Sequence, residues 1–406
     1  MDCQYKESEI GLIPNDWEVV QLSAIGKFSK GQGIRKDEAI NGEIPCVRYG
    51  ELYTRHNDYI KQYYSFITRD TSQTSKKLKT GDILFAGSGE TKEDIGKCAA
   101  FLDDIEAYAG GDIVLFSPTN VNSLYLGYLL NAPIVQKQKA SKGQGDAIVH
   151  ISAHQLGSLQ IAIPPTKSEQ TAIATALSDT DALIESLEKL IAKKRNVKQC
   201  IIHKLLTPKN YWETKKIKEI VSTPVTDGPH ETPQFLKEGI PFLSVNNLID
   251  NRIDLHELRF ISLEDHQSYS RKCKPQKNDI LLGKAASVGK VAIVNTDLEF
   301  NIWSPIALIR PKGAFVPEFI YYFFQTNQVL KQIEFFTNSS SQGNIGMGDI
   351  EKIVISYPPF DEQVQIAKVL NDIDSELEAL DHKLQKYIMM KQGMMQVLLN
   401  GKIRLL

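Results

Sequence analysis

The chain has 406 residues, enough for about two to four domains, and 42% of them are hydrophobic, as in a globular protein with real cores. Its net charge of −2 argues against a uniformly basic surface but allows a basic cleft balanced by acidic regions elsewhere. There is no run of about 18 apolar residues and no signal-peptide pattern, and the five cysteines are scattered. We therefore expect a cytoplasmic protein with reduced thiols and no membrane partner.

Residues 1–163 predict a first mixed domain. Short β-rich runs at 82–86 and 113–117 lie between turns rich in Gly, Ser and Pro. One amphipathic helix is predicted near Ser123 to Lys139. We expect an α+β domain with curved sheets.

Residues 164–208 predict one long helix. From Ile173 to Leu205, mostly apolar side chains recur at alternating spacings of four and three, which is a heptad seam of the kind that pairs helices. Thr166 and Glu169 form a capping-box pattern at its start, and Pro208 ends it.

The second half of the chain repeats this order. Residues 209–357 predict a second mixed domain, with strands at 280–282, 291–294 and 307–310 and a helix near Pro317 to Phe335. Residues 358–406 predict a second long helix, which Asp361 can cap and Asn400-Gly401 can end.

The two long helices correspond residue by residue. Asp181 and Lys198 of the first align with Asp374 and Lys391 of the second, and Trp17-Glu18 aligns with Trp212-Glu213 outside the helices. The repeat predicts a pseudo-two-fold molecule with an antiparallel pair of long helices. In the alternative, two unrelated surface helices pack on their own domains, and the matching lysines are a coincidence.

Catalytic and metal-binding motifs are missing from the sequence. It has no HExxH and no CxxC, and Gly96-Lys97-Cys98 lacks the spacing of a phosphate loop. Tyr357-Pro358-Pro359-Phe360 is similar to the (Asp/Asn/Ser)-Pro-Pro-(Tyr/Phe) motif of amino-methyltransferases, but Tyr357 is a poor substitute for its first residue. His150 and His154 could pair on a helix but lack a third ligand. We predict no catalytic and no metal site.

Several stretches together resemble one protein family. They are SEIGLIPNDWEVVQL near the start, TDGPHETPQF and GIPFLSVNNLID in the second domain, the GDIL and NDIL strands, and the Pro-Pro…Glu-Gln segment that opens each long helix. These features resemble the specificity subunit of type I restriction-modification systems, over essentially the whole chain.

The resemblance implies a fold and a function. It implies an α+β chain with two α/β target-recognition domains separated by two long antiparallel helices, in a pseudo-two-fold internal repeat. Each domain would read one half of a split, asymmetric site in double-stranded DNA. The helices would set the spacing and dock two methylation subunits, which restriction subunits join. S-adenosylmethionine, ATP and Mg²⁺ would then bind only to those partners, and this chain would be a non-catalytic subunit without a cofactor.

Polar loops with basic and amide side chains are the candidate DNA contacts, because Arg reads guanine edges and Asn and Gln read adenine. In the first domain the candidates are Lys30, Gln32, Arg35, Lys36, Arg48, Tyr49, Ser88, Lys92, Lys142 and Gln144. In the second they are Thr226, His230, Ser244, Asn246, Asn247, Lys284, Ser287, Lys290, Ser340, Gln342 and Asn344. Any one of these could instead be a solvated loop residue.

Two further features have alternative interpretations. The pairs Glu169-Gln170 and Glu362-Gln363 lie in the first turn of each long helix and either complement the helix dipole or form a partner-binding surface. The Lys-rich stretch 193–198 either faces DNA phosphates or is a solvated helix face.

Two other functions compete with DNA recognition. One is a self-contained nucleic-acid enzyme, which the missing nuclease and methyltransferase motifs disfavour. The other is a structural adaptor that binds partner proteins through its helices and no DNA.

Overall fold

A computed structural model describes residues 4–145, 148–338 and 343–405. The chain divides into two compact units: unit 1 is Met1–Glu188 with His382–Leu406, and unit 2 is Lys189–Asp381. Both divisions fall inside a long helix, so each long helix contributes one part to each unit.

Unit 1 is built on short strands. They are β1 (Tyr5–Ser8), β2 (Gly11–Pro14), β3 (Glu18–Gln21), β4 (Gly26–Lys30), β5 (Ile44–Val47), β6 (Ser65–Ile67), β7 (Lys76–Lys77), β8 (Ile83–Ala86), β9 (Ser88–Gly89), β10 (Cys98–Ala100), β11 (Tyr108–Ala109), β12 (Ile113–Pro118), β13 (Val149–His150) and β14 (Gln160–Ile163). Four-stranded sheets run in the orders β10-β8-β12-β4 and β6-β5-β11-β7, and β1-β2, β13-β9 and β14-β3 are two-stranded pairs.

The predicted strands at 82–86 and 113–117 are confirmed as β8 and β12. Every residue of β8 is buried. A continuous apolar run of this length is expected for a central strand that is covered on both faces.

The helices of unit 1 are α1 (Tyr49–Thr54), α2 (Arg69–Gln73), α3 (Ser123–Asn131), α4 (Pro133–Lys142), α5 (Ala153–Gly157), the first part of α6 (Lys167–Leu205) and the last part of the second long helix (Phe360–Leu398). The prediction of one helix from Ser123 to Lys139 is wrong. Ala132 between α3 and α4 is extended, with φ −64° and ψ 147°. Pro133 disfavours the helical conformation in the residue before it and then begins a new helix.

The core of unit 1 draws on distant parts of the chain. Trp17, Phe116 and Tyr125 from the globular part pack in one cluster with Leu177 from α6 and Leu398 near the C-terminus. The C-terminal segment is therefore part of the hydrophobic core of unit 1.

Unit 2 has strands β15 (Glu213–Lys216), β16 (Thr226–Asp227), β17 (Ile240–Leu243), β18 (Leu248–Ile249), β19 (Arg252–Ile253), β20 (Arg259–Ile261), β21 (Ile280–Gly283), β22 (Val291–Ile293), β23 (Asn301–Ile302), β24 (Ile306–Ile309) and β25 (Val354–Tyr357). The sheet order β16-β24-β21-β22 contains the predicted strands at 280–282, 291–294 and 307–310, which are confirmed. Unit 2 also contains a three-stranded sheet in the order β20-β17-β23 and the two-stranded pairs β15-β25 and β18-β19.

The helices of unit 2 are the last part of α6, α7 (Ile217–Ile220), α8 (Leu263–Ser270), α9 (Pro317–Phe323), α10 (Asn327–Asn338), α11 (Met347–Ile350) and the first part of α12 (Phe360–Leu398). The single helix predicted from Pro317 to Phe335 is also wrong, because α9 ends at Phe323. The Thr326 hydroxyl donates to the Phe323 carbonyl at 2.7 Å and competes with the helical continuation.

The long helices α6 and α12 have 39 residues each. The seam residues Ile173, Leu177 and Ile191 of α6 and Leu370 of α12 are buried, as the heptad pattern predicts. Within unit 1, Asp181 of α6 pairs with Lys391 of α12 at 2.8 Å. Other pairs between these helices, within unit 2, are Lys194–Glu376 at 2.6 Å, Lys198–Asp374 at 2.6 Å and Arg195–Asp381 at 3.5 Å.

The starts of the long helices differ in part from expectation. The Glu169 amide donates to the Thr166 hydroxyl at 3.3 Å, as predicted. The Glu169 carboxylate does not complete a capping box, because it pairs with Arg404. The expectation that Asp361 caps the second helix is wrong, since that helix already begins at Phe360 and places Asp361 in its first turn.

Candidate nucleic-acid interface

A cleft in unit 1 brings together three of the predicted DNA contacts, Lys30, Ser88 and Gln144. Lys30 ends β4, Ser88 lies in β9, and Gln144 follows α4. The cleft thus combines a cation, a hydroxyl and an amide, which can bind phosphate oxygens and base edges.

His150 is a cleft residue that was considered from sequence only as a possible metal ligand. Its Nδ1 lies 2.9 Å from the Ser88 hydroxyl, and its backbone exchanges hydrogen bonds with Gln144 at 2.7 and 2.9 Å. His150 is in β13 and His154 is in α5, so the idea that both share one helix is wrong. Pairing between β9 and β13 is a long-range contact that no local pattern signals.

The other predicted contacts of unit 1 do not line this cleft. Arg48 donates from Nε to the Ser65 hydroxyl at 3.2 Å and lies 3.5 Å from Glu51, so its guanidinium is partly engaged within the unit. Lys142, at the end of α4, is half-buried. The other candidates are exposed: Gln32, Arg35, Lys36, Tyr49 and Lys92. Their DNA contact stays a prediction.

In unit 2 the predicted loops meet at Asp227, the last residue of β16. Its side chain is completely buried, and its Oδ2 lies 3.1 Å from Lys284 Nζ and 3.2 Å from His230 Nε2. Neither contact has the angles of a hydrogen bond, and the one with Lys284 is an ion pair. The Ile345 amide donates to the Lys284 carbonyl at 3.0 Å, which brings the loop of Asn344 beside Lys284.

Lys272, which follows α8, was missed by the sequence analysis. Its Nζ donates to Asp227 Oδ1 at 2.6 Å. Burial by itself would raise the pKa of the Asp227 carboxyl, but the Lys272 hydrogen bond and the charges of Lys272 and Lys284 outweigh it and hold that pKa below its usual value. The carboxylate is therefore ionised at neutral pH.

The remaining candidates in unit 2 differ in exposure. Asn247 is buried, and its amide holds its own loop, accepting from the Ser244 amide at 3.0 Å and donating to the Asp254 and Glu257 carbonyls at 3.2 Å each. Asn246 and Lys290 are exposed, and Thr226, Ser244, Ser287 and Asn344 are half-buried. Ser340 and Gln342 lie outside the described residues.

Corresponding positions in the two units carry different chemistry. The strand registers pair Ile83 with Phe116 in unit 1 and Ile280 with Ile309 in unit 2. Two residues before Phe116, Val114 pairs with Lys30, and two residues before Ile309, Ala307 pairs with Asp227. Lys30 and Asp227 therefore occupy corresponding positions in the two sheets. The same scaffold position therefore presents a cation in one unit and a buried carboxylate in the other.

The Glu-Gln pairs at the helix starts bond within the chain. Gln170 accepts from the Asn122 amide at 2.9 Å, and Gln363 accepts from the Val316 amide at 3.1 Å, so each glutamine joins a long helix to the start of a globular-domain helix. Both are buried, as is Glu169. Glu362 pairs with Lys209 at 2.7 Å. Their role as a partner-binding surface stays a prediction.

Three residues of the Lys-rich stretch 193–198 form ion pairs inside unit 2. Lys194, Arg195 and Lys198 pair with carboxylates of α12. Lys198 is also buried, whereas Lys193 and residues 195–197 are exposed, so the stretch helps to hold the two helices together and also presents a solvated face.

Structural features of the described residues add three observations. Tyr357 ends strand β25 and donates to Glu213 Oε2 at 2.6 Å, so the Pro-Pro segment is a strand-to-helix junction. Across residues 4–145, 148–338 and 343–405, no three His, Cys, Asp or Glu side chains are grouped to hold a metal ion. In the same ranges, no helix combines the length and apolarity that a membrane crossing needs.

Comparison with known proteins gives a consistent result. The family described as Type I restriction modification DNA specificity domain matches residues 14–194 and 209–388. A Methanocaldococcus jannaschii protein, provisionally named the MjaX specificity subunit of a type I restriction enzyme, is 28% identical over 98% of this chain and 96% of its own. The EcoKI specificity subunit of Escherichia coli K12 is 22% identical over 97% and 90% of the two chains.

A solved structure shows the same fold. The type I restriction-modification S subunit from M. genitalium superposes with a TM-score of 0.63 and 16% sequence identity, over 98% of this chain and 99% of that one. The family matches cover both halves of the repeat, including most of each long helix, and so confirm the resemblance seen in the sequence. The chain belongs to the type I restriction-modification DNA specificity family.

Proposed function

We propose that this chain gives a type I restriction-modification complex its DNA sequence specificity, with each globular domain reading one half of a bipartite, asymmetric target. The observation that carries the proposal is a repeated framework with different polar side chains at corresponding strand ends, Lys30 in unit 1 and Asp227 in unit 2. Because such side chains contact bases and phosphates, the two domains should read different half-sites. The target should therefore not be a palindrome.

The functional division follows the repeat. We assign residues 1–163 and 209–357 to the two target-recognition domains, and residues 164–208 and 358–406 to the two spacer helices. Support comes from the bounds of the long helices, Lys167–Leu205 and Phe360–Leu398, and from the two family matches.

We also propose that the long helices pair antiparallel and that the repeat is pseudo-two-fold. Within unit 1, Glu169 and Asp181 of α6 meet Arg404 and Lys391, so residue numbers rise along one segment and fall along the other. The pairs Lys194–Glu376 and Lys209–Glu362 have the same sense within unit 2.

The helices would set the spacing between the half-sites. A helix of 39 residues is roughly 60 Å long, and half-sites one turn of DNA apart are separated by about 34–36 Å. A rigid helical spacer of this size predicts a fixed gap in the target.

Catalysis would belong to partner subunits. Two methylation subunits would dock near the helix starts, flip out an adenine and transfer the methyl group of S-adenosylmethionine, and restriction subunits would use ATP and Mg²⁺. This chain would supply recognition and positioning in the cytoplasm, without a catalytic residue or cofactor of its own.

A domain exchange tests the proposal. Residues 209–357 are replaced by the corresponding domain of another family member, the chimera is expressed with its methylation and restriction partners, and methylated adenines are mapped across the host genome. One half of the target should change while the other half and the gap stay the same. A change in both halves contradicts modular reading.

The adaptor function makes a different prediction. If the chain recognises DNA, binding to a duplex should weaken steeply with salt, because each neutralised phosphate releases counterions. If no DNA binding is detected even beside a methylation subunit, the adaptor function is favoured. Methyl transfer by the pure chain would instead favour a self-contained enzyme.

A further inference from the structure

Asp227 is an unusual residue for a DNA-recognition surface, because it places a negative charge among the predicted contact loops of unit 2. Its side chain is completely buried at the end of β16, in a strand pair that matches Asp227 with Ala307. Burying a carboxylate is costly unless cations and hydrogen bonds compensate it. Three basic side chains do so.

These side chains come from three separate segments. Lys272, after α8, donates to Oδ1 at 2.6 Å, while Lys284, after β21, and His230, after β16, lie 3.1 and 3.2 Å from Oδ2. Lys272 and His230 remain 50% and 69% exposed. Two lysines against one carboxylate leave the cluster positive even with His230 neutral, and its outer side faces solvent.

The framework does not require this carboxylate. The aligned position in unit 1 is Lys30, which is exposed and occupies the same place in a sheet of the same order. Gly31 and Gly228, the next residues, both approach a neighbouring carbonyl closely enough that a Cβ would clash. The backbone is thus equivalent in the two units, and the carboxylate is specific to the chemistry of unit 2.

The loop that begins with Lys284 is held in a tight, strained shape. The Gly289 amide donates to the Gly283 carbonyl at 2.9 Å, and the Gly283 amide donates to the Lys290 carbonyl at 2.7 Å. Ala286 at its tip has φ +60°, a conformation that is costly for a residue with a Cβ. The loop therefore presents its side chains from a defined backbone position.

We propose that Asp227 is a positioning residue that gathers Lys272, Lys284 and His230 into a binding site for a backbone phosphate of the DNA half-site read by unit 2. The proposal rests on the DNA-recognition function above. Lysine is a compact point charge that binds phosphate well, whereas the planar side chains of Arg, Asn and Gln are better suited to bidentate contacts with base edges. The buried carboxylate restricts the two lysines, and Lys272, which also donates to the Gly228 carbonyl at 3.3 Å, keeps its third N–H donor for the solvent side.

The test measures binding of the full chain, assembled with its methylation subunit, to a duplex with the mapped target and to an unrelated duplex. Affinity is recorded by fluorescence anisotropy over a series of salt concentrations. Lys272→Gln should weaken binding to both duplexes by roughly 5- to 10-fold at about 0.1 M salt and reduce the slope of log affinity against log salt by about 1.

Asp227→Asn is the more decisive variant, because the two explanations of this carboxylate predict opposite changes in DNA affinity. If the carboxylate only adds negative charge near DNA, removing it should tighten binding. If it positions the lysines, binding to both duplexes should weaken by a similar factor to that of Lys272→Gln. Asp279→Asn is the matched control, since Asp279 is also buried and bonded to a cation, Arg310 at 2.7 Å, but precedes β21, whereas Lys284 of the Asp227 cluster follows that strand. Its affinity for DNA should not change.

Each result has a defined meaning. Unchanged or tighter binding by Asp227→Asn overturns the proposal, and so does a loss by Lys272→Gln that is confined to the target duplex, which indicates base reading. If Asp227→Asn does not fold, Lys272→Gln decides alone, because its half-exposed side chain can change without emptying a core. If the unsubstituted assembly shows no salt-dependent DNA binding, the DNA-recognition function itself fails.

Discussion

In each unit, a lysine from one long helix forms an ion pair with an aspartate of the other. The two sites correspond in the repeat, but they differ in the number of carboxylates around the lysine. In unit 1, Lys391 Nζ lies 2.9 Å from Asp58 Oδ2 and 2.8 Å from Asp181 Oδ1. In unit 2, Lys198 Nζ lies 2.6 Å from Asp374 Oδ1. We predict that Lys391→Met destabilises unit 1 more than Lys198→Met destabilises unit 2.

The difference follows from the carboxylates left behind. Removing one partner of a buried ion pair costs about 3–5 kcal/mol, and the 8–20% exposure of these carboxylates reduces that cost. We therefore expect about 2 kcal/mol for Lys198→Met. Lys391→Met leaves two carboxylates facing each other and should cost roughly 2 kcal/mol more, or about 4 kcal/mol.

Methionine isolates the charge from the packing. Lys391 and Lys198 lie over the rings of Tyr128 and Tyr322, with Nζ 5.3 and 5.4 Å from the ring centres. A methionine chain can keep most of that contact with the ring. The hydrogen bonds from these tyrosines to Asp181 and Asp374, at 2.6 and 2.7 Å, also remain in both variants.

The pH range of the assay follows from the direction of the lysine pKa. Burial would lower the pKa of Lys391, but Asp58 and Asp181 outweigh it and raise the pKa above its usual value. A raised lysine pKa stabilises the folded state fully below the unfolded pKa, and this stabilisation is lost only as pH rises through the folded pKa. The stabilisation that Lys391 provides, and that Lys391→Met removes, should therefore be fully present at neutral pH.

Urea unfolding followed by hydrogen exchange gives the free energy for each unit separately. Peptides from 4–145 report on unit 1 and peptides from 213–338 report on unit 2. Adding Asp58→Asn to Lys391→Met should restore about half of the lost stability, since one of the two facing charges is then removed. Equal losses in the two units, or no restoration by Asp58→Asn, would refute the reasoning.

Two further predictions concern buried groups in single units. Lys139 is fully buried with its Nζ 2.8 Å from the Gly96 carbonyl, and burial lowers its pKa to about 8. Because the unfolded state binds the proton more tightly, the stability of unit 1 should increase as pH rises above about 8. In urea unfolding, Lys139→Met should abolish this pH dependence and stabilise unit 1 at pH 7 by about 2 kcal/mol. A Cβ at Gly228 would lie 1.6 Å from the Ile302 carbonyl oxygen, so Gly228→Ala should destabilise unit 2 by about 3 kcal/mol in the same assay, while Gly313→Ala, with open space around its Cβ, should be neutral. A neutral Gly228→Ala or a pH-independent difference for Lys139→Met would contradict these arguments.

The long helices and central strands could be predicted because their signals are local. A heptad seam or a continuous apolar run specifies burial without reference to the rest of the chain, and Ile173, Leu370 and the whole of β8 are buried accordingly. The breaks within the shorter helices were missed for a different reason. The amphipathic pattern continues through Pro133, but a proline disfavours the helical conformation in the residue before it, here Ala132.

The site was predicted only as a set of loops. Which loops converge depends on strand register, and the bonds of Asp227 to Lys272 and Lys284 span 45 and 57 positions along the chain. The roles of Gln170 and Arg404 are similarly nonlocal: Gln170 accepts from the Asn122 amide, and Arg404 neutralises the buried Glu169. No spacing rule within one segment can reveal a partner that is brought close only by the fold.

The repeat separates the residues that hold the framework from those that can vary. The Lys-Asp-Tyr contacts recur in both units, formed by Lys391, Asp181 and Tyr128 in one and by Lys198, Asp374 and Tyr322 in the other. At corresponding strand ends, by contrast, Lys30 faces a cleft while Asp227 is buried under cations. Because the framework bonds close within each unit and do not involve those strand ends, the polar loops can change without weakening the framework. A chain built in this way can alter the polar loops of one unit while the contacts and stability of the other remain intact.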